Sequence, residues 1–466
     1  MKLPPVPAGP VAAALAVLLG ASGCAPAPHL ASAPPVEAAH WSLASDAPAD
    51  GRPAVPADIA TLLGSPDLAA LVAQALAHNP DIAAASAGID RATALLGAAR
   101  LAALPSVSLS GGASREFGKD GSAFDFRSSY ASLDVSWNLD PFGRISGPRR
   151  AALARVRAAE IQRDLVALAV ETNVAQAFVL RASLARRIAI LDEIIGRAVE
   201  LERVVRVRYE AGAATRVDLG QQSMRVTNLR RSRTELVEAL DRTRTALAVL
   251  CGAEAPAFAP APAAIAAFTI PDLAPPSPAR LLAARPDVHA REAIIAASEG
   301  DVRAARAAYY PALNLSAQGL LADFSGGALT RSVTLGASVL APIFDRGRLR
   351  AGLKVSEAEQ AAAVEDYRAT VLAALSEVEN LQRTMAAARE RAALVSSITS
   401  EARLTARLAH AQYIEGEEDL WTQIDAEQLL ANAEDAQVLS LQERLLAEIA
   451  LYRAMGGYHP SNVAQR

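Results

Sequence analysis

The chain carries "YEAGAATRVD" at Tyr209–Asp218 and, 204 positions on, "YIEGEEDLWTQID" at Tyr413–Asp425. Each stretch opens Tyr-x-x-Gly, and a long apolar-rich segment precedes it. A glycine just past the last periodic residue is how many helices stop, because only glycine enters the left-handed region without strain. Tyr209 with Gly212 and Tyr413 with Gly416 therefore read as one helix turn built twice.

Other landmarks repeat at nearly the same offset. "HNPDIAAA" at His78–Ala85 pairs with "ARPDVHAR" at Ala284–Arg291, with Pro80 and Pro286 206 positions apart. "LPSVSLSG" at Leu104–Gly111 pairs with "YPALNLSA" at Tyr310–Ala317, and "LDPFGR" at Leu139–Arg144 with "LAPIFDRGR" at Leu340–Arg348. "AVLCG" ending at Gly252 pairs with "RAMGG" at Gly456. The order is kept throughout, so the chain is an internal duplication. Each half is predicted as helix, two strands, long helix, turn, helix, over 61–255 and 276–457. Residues 256–275 are an inter-repeat linker and 458–466 a C-terminal tail.

The strands alternate with a period of two. Ala131, Leu133, Val135, Trp137 and Leu139 interleave with Ser132, Asp134, Ser136 and Asn138. Val333, Leu335, Ala337 and Val339 do the same in the second half, as do Leu313 and Leu315, and Val107 and Leu109 in the other two strands. Such strands suit a half-buried soluble sandwich or a membrane barrel with lipid outside and water inside. Four strands cannot close a membrane barrel, since open edges are not tolerated in lipid. Either the strands stay out of the membrane or several chains share one barrel, and three copies would supply twelve strands.

The helices are long. From Pro148 to Tyr209 only Gly196 interrupts, and from Arg348 to Tyr413 only Gly352, lengths of about 93 and about 99 Å at 1.5 Å per residue. Ile188, Leu191, Ile195 and Ala198, then Leu236, Leu240, Thr243, Leu247 and Leu250, follow coiled-coil spacing.

Composition agrees. Apolar residues make up 52% of 466 residues and aromatics only 4%, the excess being mostly alanine, which favours closely packed helices. A net charge of −4 gives no nucleic-acid signature. Two cysteines exclude a disulfide-stapled scaffold. Beyond the first segment no run of eighteen apolar residues occurs, so no spanning helix is expected in the mature chain.

Residues 1–23 read as a signal peptide, with Lys2 and a short apolar core at Val11–Leu19. "GASGC" then resembles a lipoprotein lipobox, with Ala21 where leucine is usual, making Cys24 the lipidated, palmitate-bearing first residue. Ala25, rather than Asp, implies sorting to the outer membrane in the lipoproteins it resembles. Residues 24–60, rich in proline and alanine, read as an extended tether.

With "NPDI", "RPDV", "LDPFGR", "FDRGR", the two Tyr-x-x-Gly turns and "ALYRAMGG" in this order, the chain resembles the TolC-like outer-membrane efflux proteins, in particular their lipidated branch. The resemblance implies a mixed α and β fold. It would be a homotrimer whose twelve-stranded outer-membrane barrel continues into a periplasmic α-helical coiled-coil barrel. It implies a passive conduit, not an enzyme, working with a periplasmic adaptor and an inner-membrane transporter, usually of the proton-driven multidrug class. It also implies aperture residues after the second turn. Asp425 matches a ring aspartate, Trp421 stands where a leucine constriction is common, and Thr422 replaces a frequent acid. Asp218 matches a position that ties neighbouring coils. Glu418 stands where a linking base is usual, which makes Arg216 a candidate partner for Asp218 instead.

Catalytic signatures are missing from the sequence. No two histidines show metal-ligand spacing, and no nucleophile elbow or phosphate loop occurs, so neither cofactor nor metal is expected. Cys251 holds the repeat position of Met455 and reads as a small buried apolar residue. Three other readings remain from the residues: a protein- or metal-exporting conduit of the same fold, a lipidated coiled-coil scaffold, and a secreted enzyme.

Overall fold

The computed structural model describes residues 41–42, 58–117, 125–270, 273–324, 327 and 329–457. Cys24, the signal peptide, most of the tether and the tail lie outside them. In chain order the elements are α1 (Ile59–Leu63), α2 (Pro66–His78), α3 (Pro80–Leu101), β1 (Ser106–Phe117), β2 (Asp125–Leu139), α4 (Ser146–Glu210) and α5 (Arg216–Leu250). A 3-10 turn at Ile265–Ala267 precedes α6 (Pro278–Ala284), α7 (Pro286–Ala307), β3 (Ala312–Phe324), β4 (Thr330–Leu340), α8 (Arg346–Glu415) and α9 (Leu420–Ala454). The long helices run 65 and 70 residues, starting two residues before the positions read from the sequence. Pro148 is the third residue of α4, where the missing N–H is harmless.

The chain divides into two compact units. The first takes residues 92–156 and 292–368 and holds the sheet, antiparallel in the order β1-β2-β3-β4. Its register sorts the two faces. One face carries rows Ser108–Asp134–Gln318–Thr334, Ser106–Ser136–Ser316–Gly336 and Asn138–Asn314–Ser338. The other carries Leu109–Leu133–Gly319–Val333, Val107–Val135–Ala317–Leu335, Trp137–Leu315–Ala337 and Leu139–Leu313–Val339.

Among the described residues nothing covers the apolar face. Val333 is 80% and Leu109 79% exposed, and every residue of β4 is exposed. A soluble sandwich would bury these side chains, so that alternative fails. The polar face is cross-linked: Asp134 accepts from the Ser132 hydroxyl (2.6 Å) and from Gln318 Nε2 (2.6 Å), and Asn314 Nδ2 donates to Ser136 Oγ (3.0 Å).

At the corner after β2, Asp140 accepts from the backbone N–H groups of Ile145 and Ser146 at the start of α4 (3.0 and 2.7 Å), and Phe142 stacks on Tyr310 at 4.7 Å. Helices α4 and α7 then meet backbone to backbone. A Cβ on Gly300 would stand 2.7 Å from Ala151 N and 2.8 Å from Gly147 O.

The second unit takes the described residues of 36–91, with 157–291 and 369–457. Its core draws on α1, α2 and the middles and ends of the long helices, with Phe178, Leu247, Leu281, Leu445 and Tyr452 among its most buried side chains. Helix α4 includes an 18-residue window of mean hydropathy 1.4, apolar enough to cross a membrane by composition. Val170, Val174, Phe178 and Val179 of this helix belong to the core instead.

The duplication is visible in detail. Asn79 Nδ2 donates to Leu250 O (2.9 Å), and Arg285, its repeat equivalent, donates to Ala454 O (2.5 Å). Arg285, itself buried, adds ion pairs with the half-buried Asp287 (2.7 Å) and Glu377 (3.0 Å). Cys251 is fully buried, as Met455 is, and burial pushes its thiol pKa up.

Two boundaries differ from the sequence reading. Ile59 and Ala60, placed in the tether, are core residues, because Asp58 caps α1 by accepting from Thr61 N (2.7 Å). Trp41, also in the tether, packs on this core and donates from Nε1 to Pro276 O (2.8 Å). The linker 256–275 is not free either. Phe258, Ile265, Phe268 and Leu273 enter the core, and Thr269 N donates to Leu63 O (3.0 Å).

Candidate functional site

Both Tyr-x-x-Gly turns close in one way. Gly212 has φ 74° and Gly416 φ 81°. Gly212 N donates to Tyr209 O (3.0 Å) and Ala213 N to Arg208 O (2.7 Å). Gly416 N donates to Tyr413 O (3.2 Å) and Glu417 N to Gln412 O (2.9 Å). This crossed pair is the Schellman motif, and the tyrosine's role in it is carried by its backbone carbonyl.

The helices that follow start with mirrored caps. In α5, Thr215 Oγ1 accepts from Asp218 N (3.2 Å), and Asp218 Oδ2 accepts from Thr215 N (2.8 Å), a reciprocal capping box. In α9, Asp419 Oδ1 accepts from Thr422 N (2.8 Å), and the Thr422 hydroxyl lies between Asp419 Oδ1 (3.0 Å) and Glu418 Oε2 (3.1 Å). Thr-x-x-Asp in one repeat is thus Asp-x-x-Thr in the other. In α9 the acid of the cap therefore sits three residues before Thr422, at Asp419.

These bonds hold both carboxyls below their usual pKa. For Asp218 the leading cause is the Thr215 backbone N–H, and for Asp419 that of Thr422. Asp218 is engaged with its own helix start. Among the described residues neither Arg216 nor Glu418 forms an ion pair with it, so the inter-coil link suggested by the resemblance is not made within this chain.

Trp421 is 44% exposed and Asp425 is exposed one turn further along α9. Ile424 and Ala426, between and beside them, are buried. No sequence pattern points to what stands opposite. Arg225 of α5 donates from Nη2 to Gln428 Oε1 (3.0 Å). Burial lowers the Arg225 pKa, while the carboxylates of Glu427 and Asp425 act to raise it. The first-repeat hairpin thus places one cation against the Asp425 turn of the second. Further along, Arg187 grips Asp435 with two bonds (2.7 and 3.2 Å). Arg225 and Asp425 stand 200 positions apart, with no local pattern to pair them. Among the described residues no cluster of three His, Cys, Asp or Glu side chains could hold a metal ion.

A sheet with one uncovered apolar face, continued by duplicated helical hairpins, defines the class: an outer-membrane channel of the TolC-like kind. The outer membrane efflux protein model matches residues 71–253 and 278–457, and the chain belongs to that family. It is 32% identical over 411 residues to the pyoverdine export outer membrane protein OpmQ of Pseudomonas putida, covering 84% of this chain and 86% of that one. It is 28% identical over 456 residues to OprJ of Pseudomonas aeruginosa, covering 95% and 94%. Among solved structures, the outer-membrane channel OprN superposes with a TM-score of 0.81 at 26% identity, covering 93% of this chain and 99% of that one. The protein is an outer-membrane efflux channel.

Proposed function

We propose that the chain works as a homotrimer whose three sheets close one twelve-stranded barrel. In it the Leu109–Leu133–Val333 face meets lipid, and the Asp134–Gln318 face lines a water-filled lumen. The observation that supports this most is the sheet itself. Its apolar face is bare, and strands β1 and β4 end it with unpaired edges, which hydrocarbon does not tolerate. Neighbouring copies joined β4 to β1 satisfy both. The helical hairpins then form the periplasmic conduit, with Trp421, Asp425 and the capped turns at Asp218, Glu418 and Thr422 as its aperture.

The conduit is passive and receives its cargo from a periplasmic adaptor and an inner-membrane transporter. That cargo is a small organic molecule, in keeping with relatives named for pyoverdine and toluene export. Cys24 carries the lipid anchor. Purified protein should show three chains per particle and ion conductance in planar bilayers. A water-soluble monomer without conductance would overturn the reading.

A further inference from the structure

We propose that the second compact unit carries a binding site for a short peptide with free carboxylates, held by Arg186 and Arg444. The site needs only the helices of that unit, so it stands apart from the barrel reading above.

Three helix stripes face one groove of about 590 Å³. Helix α4 contributes Ala182 and Arg186, one turn apart, and α8 contributes Ala392 and Ser396, also one turn apart. Helix α9 contributes Gln437, Leu441 and Arg444, with Ser440 between them, the spacing of one helix face. The strap at Ala263–Ala266 forms the fourth side. Alanine on three of the four sides stops short of filling the space, and the volume left is that of a small-ligand site. The strap is fixed in place. Ile265 is anchored in the core, and Arg181 donates to Pro260 O (3.0 Å) and Ala261 O (2.6 Å). The groove is therefore formed before a ligand arrives.

Its chemistry is cationic, because two arginines and no acid line it. Arg444 is half-buried and has no hydrogen-bond or ion-pair partner among the described residues. The neighbouring Glu443 is engaged by Arg391 (3.2 Å), and Glu193 reaches Arg186 only at 3.9 Å. Ser440 Oγ is buried, also without a partner. An unmatched cation beside an unmatched hydroxyl carries a desolvation cost, which a carboxylate accepting from both would relieve. A guanidinium fork takes a carboxylate with two charge-assisted hydrogen bonds, and two forks on different helices suit two carboxylates. The strap selects a peptide over a simple acid. Ala264 is extended (φ −90°, ψ 124°), and the N–H groups of Ala263 and Ala264 have no backbone partner among the described residues. An extended segment with open main-chain groups pairs with another main chain. Val438 and Leu441 offer small side chains an apolar floor.

Titration calorimetry of the full-length protein in detergent tests this with three probes: alanyl-glutamyl-alanine with both carboxylates free, alanyl-glutaminyl-alanine amide, and inorganic phosphate. Wild type should bind the first, and the amide about tenfold more weakly, because charge-assisted bonds are lost. Arg444→Gln should remove most of that difference and Arg186→Gln part of it. No binding of the acidic peptide by wild type, equal binding of peptide and amide, or an unchanged preference in Arg444→Gln would overturn the proposal. Displacement of the peptide by equimolar inorganic phosphate would also overturn it, assigning the arginines to a free oxyanion. The wild-type comparison depends on no variant folding. Bilayer conductance of the same preparations separates the two readings. A conducting trimer that does not discriminate the peptides sinks only this site, whereas a water-soluble, non-conducting monomer that does discriminate them sinks only the barrel.

Discussion

At Gly212 the backbone is left-handed and an added Cβ would meet nothing within 4 Å, whereas at Gly252 it would stand 2.2 Å from His78 O. The two glycines thus answer different needs. Gly212→Ala should cost only the left-handed strain, about 1–2 kcal/mol. Gly252→Ala must also push two backbone segments apart where α5 ends against the residues before Pro80, and should cost more than about 3 kcal/mol. Thermal melts of the two variants should separate clearly, and equal shifts would show that strain alone decides. The caps make a pH prediction. Asp218 and Asp419 have folded pKa values below the unfolded ones, so their contribution is present above the unfolded carboxylate pKa. It is lost as pH falls through the folded values, below about 4. Amide protection at the starts of α5 and α9, corrected for the intrinsic exchange rate at each pH, should therefore fall in acid before the core loosens. Asp218→Asn with Asp419→Asn should abolish that pH dependence, and its persistence would place the titrating groups elsewhere. Thr215→Ala, which removes one half of a box, should loosen α5 by about 1 kcal/mol at neutral pH.

The strands are the element on which function depends most, and they were also the most legible. A period of two in "ASLDVSWNL" requires two different environments, and the register delivers them. The environment then decides the effect of a charge. Val135→Arg puts a cation on the apolar face at a cost of about 2–4 kcal/mol per chain near the midplane, repeated three times in a trimer. Ser136→Arg puts it on the face of Asp134 and Asn314. Outer-membrane fractions should therefore lack assembled Val135→Arg trimer and retain Ser136→Arg trimer. Equal assembly would show that the face of Val135 does not meet lipid. The helix turns were legible for a related reason, since a left-handed glycine ends a helix whatever surrounds it. Less could be read where packing is irregular. Phe258, Ile265, Phe268 and Leu273 follow neither helix nor strand period, so a core-forming strap looked like a linker. Trp41 is a lone aromatic in a Pro- and Ala-rich stretch, and its bond to Pro276 is settled by a fold more than 200 residues away. The cap residues show a subtler limit. The resemblance assigns Asp218 to a tie between neighbouring coils, but local geometry uses it for its own helix start, and no motif in the sequence singles out Asp419.

At the scale of the whole molecule, the proposed anchor and aperture are tested on the assembled protein. If Cys24 holds the lipid, the 17 residues to Trp41 reach at most roughly 60 Å, so the Trp41–Pro276 clip must lie within that distance of the membrane. Cys24→Ser should lose palmitate labelling and keep its precursor mass, yet still conduct, because the barrel supplies its own insertion. Mature protein beginning elsewhere with an unmodified terminus would defeat this assignment. At the aperture, three copies of Trp421 would narrow the conduit sterically, and three Asp425 carboxylates would repel one another unless neutralised. Within each chain Arg225 bonds Gln428 and feels the carboxylates of Glu427 and Asp425, so in a closed ring it would offset part of that charge. Trp421→Ala with Asp425→Ala should raise single-channel conductance and weaken block by multivalent cations, since both the constriction and the anionic ring are gone. Arg225→Gln should act differently. It leaves the ring charges uncompensated, so the closed state should become more sensitive to added divalent cation, which would substitute for the missing guanidinium. Conductance recorded with and without a divalent cation distinguishes the two cases. If the Arg225→Gln channel matches wild type in both conditions, Arg225 does not balance the ring. If the double variant also conducts as wild type does, the aperture lies away from this turn.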